Sequence, residues 1–206
     1  MVFSCGSTQN SGVVRDAVKY ARQKGAVLVA AMGNDNKDTD ISPEFPANLN
    51  TVIGVAAIDS DSHKAVFSNF GSSVRVDAPG VNLVSTYPGD GANGDYASWS
   101  GTSFATPITA AEAALILSQE RLTNPTSRIE DTAINIDDLN PDFSGKLGKG
   151  RISPIAALQS YYITPSPAGN WSACGSPSPE FPGLTGSART PAPCAANSPY
   201  PAPGTT

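Results

Sequence analysis

The sequence predicts an α/β fold, a doubly wound and mostly parallel sheet with helices on both faces. Two short apolar runs, 27–31 and 51–58, are typical of strands that are buried on both sides. An amphipathic stretch precedes the first run, and a long alanine-rich stretch at 108–117 follows later. Such alternation of strand and helix patterns favours a parallel sheet covered by helices.

The first elements form a strand, a helix and a second strand. Residues 1–4 are a short apolar strand that runs into Cys5-Gly6. The next helix opens at Ser11-Gly12, and Lys24-Gly25 supplies a basic last turn and a glycine cap. Its apolar residues fall at i, i+3, i+4 and i+7 and so form one face; they are Val14, Ala17, Val18 and Ala21.

The remaining elements continue the same pattern. The run 51–58 is rich in β-branched residues, as buried strands are. Turns are expected at 59–62 and 88–95, and a further strand at 81–86. Helices are expected from Ser103 onward, over 125–135 and over 154–159.

Residues 100–107, Ser-Gly-Thr-Ser-Phe-Ala-Thr-Pro, place one serine, Ser103, at the start of a buried helix. The first N–H groups of a helix have no intrahelical acceptor, and the helix dipole favours negative charge there. An alkoxide or a tetrahedral oxyanion would be stabilised, which suits a nucleophilic serine. The same residues are also an ordinary N-cap signal, and this alternative stays open.

A second candidate group stands at the end of the strand 27–31. Gly33-Asn34 follows it, at the carboxyl edge where open α/β sheets bind ligands. The Asn34 amide could donate a hydrogen bond to a developing oxyanion. Taken alone, Gly-Asn indicates only a turn.

Several short motifs together resemble the subtilisin-like serine protease family, in that family's order and approximate spacing. The resemblance covers roughly residues 1–160 and implies a subtilisin-like α/β domain. The motifs are Ala-Ala-Met-Gly-Asn at 30–34, Phe-Pro-Ala at 45–47, Phe-Ser-Asn-Phe-Gly at 67–71, Asp-Ala-Pro-Gly at 77–80, Gly-Thr-Ser-Phe-Ala-Thr-Pro at 101–107 and Gly-Lys-Gly-Arg-Ile at 148–152.

The resemblance also implies roles for individual residues. Ser103 would be the nucleophile and Asn34 the oxyanion donor. An extended peptide or protein substrate would pair with the backbone beside residues 4–6, although a plain core strand there is an open alternative. The substrate-binding residues implied are Ser4, Cys5, Gly6, Ala31 and Gly33.

This chemistry also needs a base and a carboxylate that orients it. The subtilisin order is Asp, then His, then Ser, so both partners are expected upstream of residue 1. We therefore expect the C-terminal part of a catalytic domain, without its N-terminal strands. The only histidine, His63, corresponds to an exposed loop position in the family and is not expected to be the base.

Two functions of different class follow from these expectations. In the first, the parent protein is a serine endopeptidase that cleaves peptide bonds by acyl transfer through Ser103. In the second, the chain is a non-catalytic subtilisin-like binding or scaffold module. The sequence upstream of Met1 would discriminate between them.

Composition limits the kinds of binding partner that are expected. The net charge is −5 and the sequence has no basic cluster, so nucleic acid is not expected as a partner. No apolar run is long enough to span a membrane, and residues 1–6 do not have the pattern of a signal peptide. The resemblance implies an extracellular parent protein. The three acids of the loop 35–40 could bind a cation, but the loop lacks the spacing of a calcium loop and is expected to be solvated, so no cofactor is predicted and structural calcium is unsupported by the sequence.

The segment 161–206 differs from the rest of the chain. It holds ten of the 18 prolines and only two charged residues, so it is expected to be a tail without a packed core. Cys174 and Cys194 are candidates for a disulfide there. Cys5 belongs to the domain and is expected to be a small buried apolar residue.

Overall fold

A computed structural model of the chain describes residues 1–88, 95–119 and 124–159. The tail predicted at 161–206, its boundary at residue 160 and the Cys174–Cys194 pair lie outside these ranges. Most of the glycine-rich turn predicted at 88–95 lies outside them as well.

The described residues form a four-stranded parallel sheet with the strand order β1-β2-β3-β4, and a separate antiparallel hairpin, β5-β6. The strands are β1 (Val2–Phe3), β2 (Val29–Ala31), β3 (Ile53–Ile58), β4 (Val76–Pro79), β5 (Leu83–Thr86) and β6 (Tyr96–Trp99). The α-helices are α1 (Gly12–Gln23), α2 (Thr102–Gln119), α3 (Pro125–Thr132) and α4 (Pro154–Gln159), and two short 3-10 helices span Asp137–Leu139 and Pro141–Phe143.

Helices cover both faces of the parallel sheet, which confirms the predicted α/β class. Successive side chains of a strand point to opposite faces. Val29 and Val55 therefore pack with residues of α2, α3 and α4 in one apolar cluster. Ala30 and Ala56 face the other way and pack with Val18 of α1 in a second cluster.

Two strands were not predicted, and the predicted ends of several elements were wrong by one to three residues. β4 contains Asp77 and Pro79, residue types that are depleted in strands. It forms nevertheless because β3 offers a paired neighbour along its whole length. β6 is a four-residue strand that pairs only with β5. The predicted helix over 125–135 ends at Thr132.

The central helix α2 combines an apolar sequence with polar residues on its buried face. The hydroxyls of Thr106 and Thr109 donate to the carbonyl oxygens of Thr102 and Ala105, one turn earlier, so these buried groups are satisfied within the helix. Glu112 is also buried, and neither carboxyl oxygen has a partner among the described residues. Burial raises the pKa of Glu112 to about 7.

Within 1–88, 95–119 and 124–159, none of the helices has the length and apolar character needed to cross a membrane.

Candidate active site

Asn34 follows the carboxyl end of β2, from which it is separated by Met32 and Gly33. Gly33 has φ +97°, a conformation that residues with a side chain rarely adopt. A Cβ atom on Gly33 would collide with the amide nitrogen of Asn69. Only glycine fits here, and this close packing fixes where Asn34 leaves the sheet.

The start of α2 is tied to the same strand end. The backbone N–H and the hydroxyl of Thr102 both donate to Asn34 Oδ1, at 2.8 and 2.9 Å. The Thr102 hydroxyl oxygen accepts in turn from the backbone N–H of Gly33 at 3.2 Å. The preceding residue, Gly101, donates its N–H to the carbonyl of Gly80, just after β4. The turn before Ser103 is therefore held by hydrogen bonds to the ends of two strands, β2 and β4, which flank β3 in the sheet.

Two hydrogen-bond donors lie close to one point above this turn. A Cβ atom placed on Gly101 would lie 3.6 Å from Asn34 Nδ2 and 3.7 Å from the backbone nitrogen of Ser103. Because Thr102 occupies Asn34 Oδ1, the amide group of Asn34 remains available as a donor. Ser103 is the second residue of α2, so its N–H has no acceptor within the helix.

The Ser103 hydroxyl has a single hydrogen-bond partner among the described residues. It donates to the carbonyl oxygen of Ser4 at 2.9 Å, and the Ser4 hydroxyl donates to the carbonyl oxygen of Ser103 at the same distance. A peptide carbonyl accepts a hydrogen bond but is too weakly basic to take the proton. This contact therefore holds the serine without activating it.

The five residues predicted to bind substrate differ in exposure. Ser4, Cys5 and Gly6 are exposed, and Ser4 is hydrogen-bonded to Ser103, whereas Ala31 is buried and Gly33 is half-buried. Their substrate-binding role stays a prediction. The expected burial of Cys5 was wrong: it follows the end of the edge strand β1, where no described element covers it, and it is an exposed free thiol.

The loop around residues 4–7 is held against the segment that follows the acidic loop. Ser7 and Phe45 exchange both backbone hydrogen bonds, at 2.9 and 2.8 Å, in an antiparallel bridge. A Cβ atom on Gly6 would meet the carboxylate of Glu44. Burial, and next the charge of Asp35, raise the pKa of Glu44.

His63 lies in the turn after β3, and its exposure is confirmed. Its Nδ1 is 3.8 Å from Asp59 Oδ1, and that same oxygen accepts the His63 backbone N–H at 2.9 Å. These contacts stay within the turn and give His63 no link to Ser103.

The acidic loop at 35–40 uses its carboxylates to tie neighbouring segments together. Asp38 pairs with Lys146, whose hydrogen bond is the main reason that the pKa of Asp38 is lowered. Asp40 accepts hydrogen bonds from the backbone and the hydroxyl of Ser72. Within the part of the chain that the structure describes, no three His, Cys, Asp or Glu residues are grouped so that they could hold a metal ion.

Two residues that the sequence reasoning left without a role contribute to the site. Thr102 links Asn34 to α2, and Asn69 packs under Gly33 and bonds to the loop around Asn34. Both belong to motifs that carry the family resemblance, 101–107 and 67–71. The sequence signal that could have identified them is a polar residue inside a short apolar motif. If such a residue is buried, its amide or hydroxyl needs a hydrogen-bond partner and so ties two segments together.

Comparisons with known proteins place the chain in one family. Residues 2–150 match the Subtilase family. Over 158 residues the chain is 40% identical to thermitase from Thermoactinomyces vulgaris, which covers 76% of this chain and 53% of thermitase. Over 161 residues it is 38% identical to subtilisin DY from Bacillus licheniformis, 76% of this chain and 56% of that protein.

The structural comparison agrees. The patellamide maturation protease PatA superposes with a TM-score of 0.67 at 32% identity, over 77% of this chain and 61% of PatA. The chain spans about half the length of the curated relatives it matches. The subtilisin-like fold of its sheet and helices, the order of its motifs and these similarities agree, and the chain belongs to the subtilase family.

Proposed function

We propose that this chain carries the nucleophile and the oxyanion donors of a serine endopeptidase. Ser103 is the nucleophile, and the Asn34 side-chain amide and the Ser103 N–H stabilise the oxyanion. The observation that carries the proposal is the approach of both donors to within 3.7 Å of one point beside the nucleophile turn. Membership of the subtilase family supports it.

The reaction is an acyl transfer. Ser103 Oγ attacks the carbonyl carbon of a peptide bond and gives up its proton to a base, while the carbonyl oxygen gains negative charge. Preorganised N–H donors at about 2.7–3.1 Å from that oxygen stabilise the charge without rearranging. Protonation of the amine releases it and leaves an acyl-enzyme, which water then hydrolyses by the same route.

The base is not among the groups that contact Ser103 here. The chain contains one histidine, and it lies in a surface turn beside Asp59. The proposal is therefore that an Asp and a His come from a segment upstream of residue 1, in the family's order. By itself, the 206-residue chain is proposed to be inactive.

Apolar surface and a strand edge that are exposed in this chain support the proposal that an upstream segment packs over them. Strand β1 pairs only with β2 in the described sheet. The apolar helix α2 exposes one side to solvent, although a helix that is apolar all round is usually buried. The exposed residues on that side are Pro107, Ala111, Ala114 and Leu115.

The proposed substrate is a peptide or protein that binds in extended form. Residues 4–6 are exposed and Ser4 is hydrogen-bonded to Ser103, so a substrate strand added there would bring a peptide carbonyl to the nucleophile. Gly33 directly precedes the proposed oxyanion donor, Asn34, and its N–H donates to the Thr102 hydroxyl. Acyl transfer by this route uses protein groups alone.

We also propose that the parent protein is extracellular, on the strength of the family membership.

A fusion tests the proposal. The 206-residue chain is joined at residue 1 to a subtilisin-type segment that bears the Asp and the His; we call this the complemented chain. It should hydrolyse a peptide amide substrate, and Ser103→Ala should abolish the activity. A folded complemented chain that binds peptides but does not cleave them would instead favour the binding or scaffold module.

A further inference from the structure

Asn69 is completely buried, and its side chain bonds to the loop that carries Asn34. Its Nδ2 donates to the carbonyl oxygen of Met32 at 2.8 Å. Its Oδ1 accepts the backbone N–H groups of Asp35 at 3.0 Å and Lys37 at 2.9 Å. The three bonds thus bracket Asn34, with one partner before it in the chain and two after it.

The chemistry of an amide side chain suits this place. Where a chain leaves a sheet, its backbone groups lose their ladder partners, and buried ones must find others. Here one carbonyl and two N–H groups need partners at a single point. Asparagine supplies a donor and a double acceptor in one rigid plane. The backbone N–H of Asn69 also donates to the Gly33 carbonyl at 3.0 Å.

Asn69 is itself firmly held by the sheet. The hydroxyl of the preceding residue, Ser68, accepts the N–H of Ala57 in β3 at 2.9 Å and donates to the Asn69 carbonyl at 3.1 Å. Phe67 and Phe70 on either side exchange backbone hydrogen bonds with the same loop, through the N–H of Asn36 and the carbonyl of Lys37. The position of the Asn69 amide is therefore set by β3, through Ser68, whereas Asn34 follows the end of β2.

We propose that Asn69 is the positioning residue for the oxyanion donor: by bonding the backbone on both sides of Asn34, it holds that side chain where the developing charge appears. The inference rests on the proposed function. Asn69 is buried and acts through Asn34 without touching substrate. Oxyanion stabilisation depends on donors that are already in place, and a misplacement of about 1 Å can cost about 100-fold in rate.

The first measurement uses the 206-residue chain and needs no activity. Amide hydrogen exchange is followed at Asp35 and Lys37, whose N–H groups donate to Asn69. In Asn69→Ala both amides should exchange at least about tenfold faster than in the wild type, because their acceptor is gone. Unchanged exchange at both positions would show that the Asn69 side chain does not hold this loop, and would overturn the inference.

The second measurement uses the complemented chain. Asn69→Ala should lower kcat by about 10- to 100-fold and leave KM nearly unchanged, because the loss falls on the transition state. In an Asn34→Ala background the same substitution should have almost no further effect. Two residues that act through one group give such non-additive losses.

Asn140 provides the matched control. It is also buried, and it also makes three side-chain hydrogen bonds, to the Lys64 N–H and to the carbonyls of Ser62 and Ile136. None of these partners belongs to the Asn34 loop. Asn140→Ala should destabilise the protein about as much as Asn69→Ala and leave kcat unchanged.

Asn69→Asp keeps the proposal testable if the alanine variant fails to fold. A neutral carboxyl at this position can donate to the Met32 carbonyl and accept both N–H groups, whereas a carboxylate can only accept. The ratio of its kcat to that of the wild type should therefore fall as pH rises through the pKa of the new carboxyl. A ratio that does not change with pH would contradict the inference.

The outcomes distinguish a failure of the proposed oxyanion role of Asn34 from a failure of the proposed positioning role of Asn69. If Asn34→Ala leaves kcat unchanged, the oxyanion assignment fails, and the role of Asn69 fails with it. If Asn34→Ala slows the reaction but Asn69→Ala does not, the inference alone is overturned. Equal slowing by Asn69→Ala with and without Asn34 would also overturn it, since Asn69 would then act by another route.

Discussion

The hydroxyl of Ser103 and the carbonyl of Ser4 form a 2.9 Å hydrogen bond, and the Ser4 hydroxyl returns a bond of equal length to the Ser103 carbonyl. The two residues are 99 positions apart in the sequence. The pair joins the exposed strand end, where a substrate is proposed to bind, to the start of α2. It leaves the Ser103 hydroxyl ordered but not activated.

The first prediction concerns the reactivity of Ser103 in the 206-residue chain. Because its hydroxyl has a peptide carbonyl as partner and no base, labelling by a fluorophosphonate should be very slow. In the complemented chain, labelling should be faster by several orders of magnitude. Mass spectrometry of the labelled peptide measures both rates and identifies the modified residue.

Two variants control this experiment. Ser103→Ala should remove the label from the complemented chain. His63→Ala should change neither rate, because His63 faces Asp59 in a surface turn. Rapid labelling of Ser103 in the 206-residue chain that disappears in His63→Ala would show that His63 is the base after all.

The second prediction concerns Gly33. An alanine there would need a strained positive φ and would displace the buried Asn69 amide, so Gly33→Ala should lower the free energy of unfolding by roughly 3 kcal/mol. Gly25 is the matched control. Its φ is +85°, but nothing lies within 4 Å of its would-be Cβ.

Urea denaturation of both variants measures the difference. Gly25→Ala should cost only about 1 kcal/mol, the backbone strain alone. Equal losses in the two variants would show that contact with Asn69 adds nothing at Gly33.

The third prediction concerns the pH dependence of stability. Burial raises the pKa of Glu112 from 4.5 to about 7. Between these values the folded state binds more protons than the unfolded state, so this group lowers stability as pH rises through that window. Glu112→Gln removes the effect. It should stabilise the chain by roughly 3 kcal/mol above pH 7 and change little below pH 4.5.

Thermal unfolding at pH 4.5 and pH 8 measures this difference between Glu112→Gln and the wild type. Asp138→Asn, at an exposed carboxyl, is the control and should change stability by less than about 0.5 kcal/mol at either pH. A Glu112→Gln variant no more stable than the wild type at pH 8 would mean that Glu112 has a partner there that compensates its charge.

The sequence was sufficient for the parts of the fold that have a clear period. The apolar runs that became β2 and β3 and the amphipathic α1 were predicted to within three residues at their ends. β4 was not predicted, because Asp77 and Pro79 argue against a strand. Pairing with β3, a tertiary effect, overrides their local preference.

The candidate site likewise has residues that the sequence predicted and residues whose roles it did not predict. Candidate roles were predicted for Asn34, which follows the carboxyl end of a strand, and for Ser103, at the start of a helix, and the family resemblance implied the same two residues; these roles stay predictions. The roles of Thr102 and Asn69 could not be predicted, since they depend on which backbone groups are left without partners after folding. The exposure of Cys5 depends likewise on what covers the end of β1.

The fourth prediction is the most direct test of the central claim, that Asn34 and Ser103 form one oxyanion site. In the complemented chain, Asn34→Ala should lower kcat by about 10²–10³ and leave KM nearly unchanged. That magnitude comes from a subtilisin asparagine and is carried over from the family. A steady-state comparison of Asn34→Ala with the wild type would contradict the account if kcat were unchanged, or if the loss appeared in KM alone.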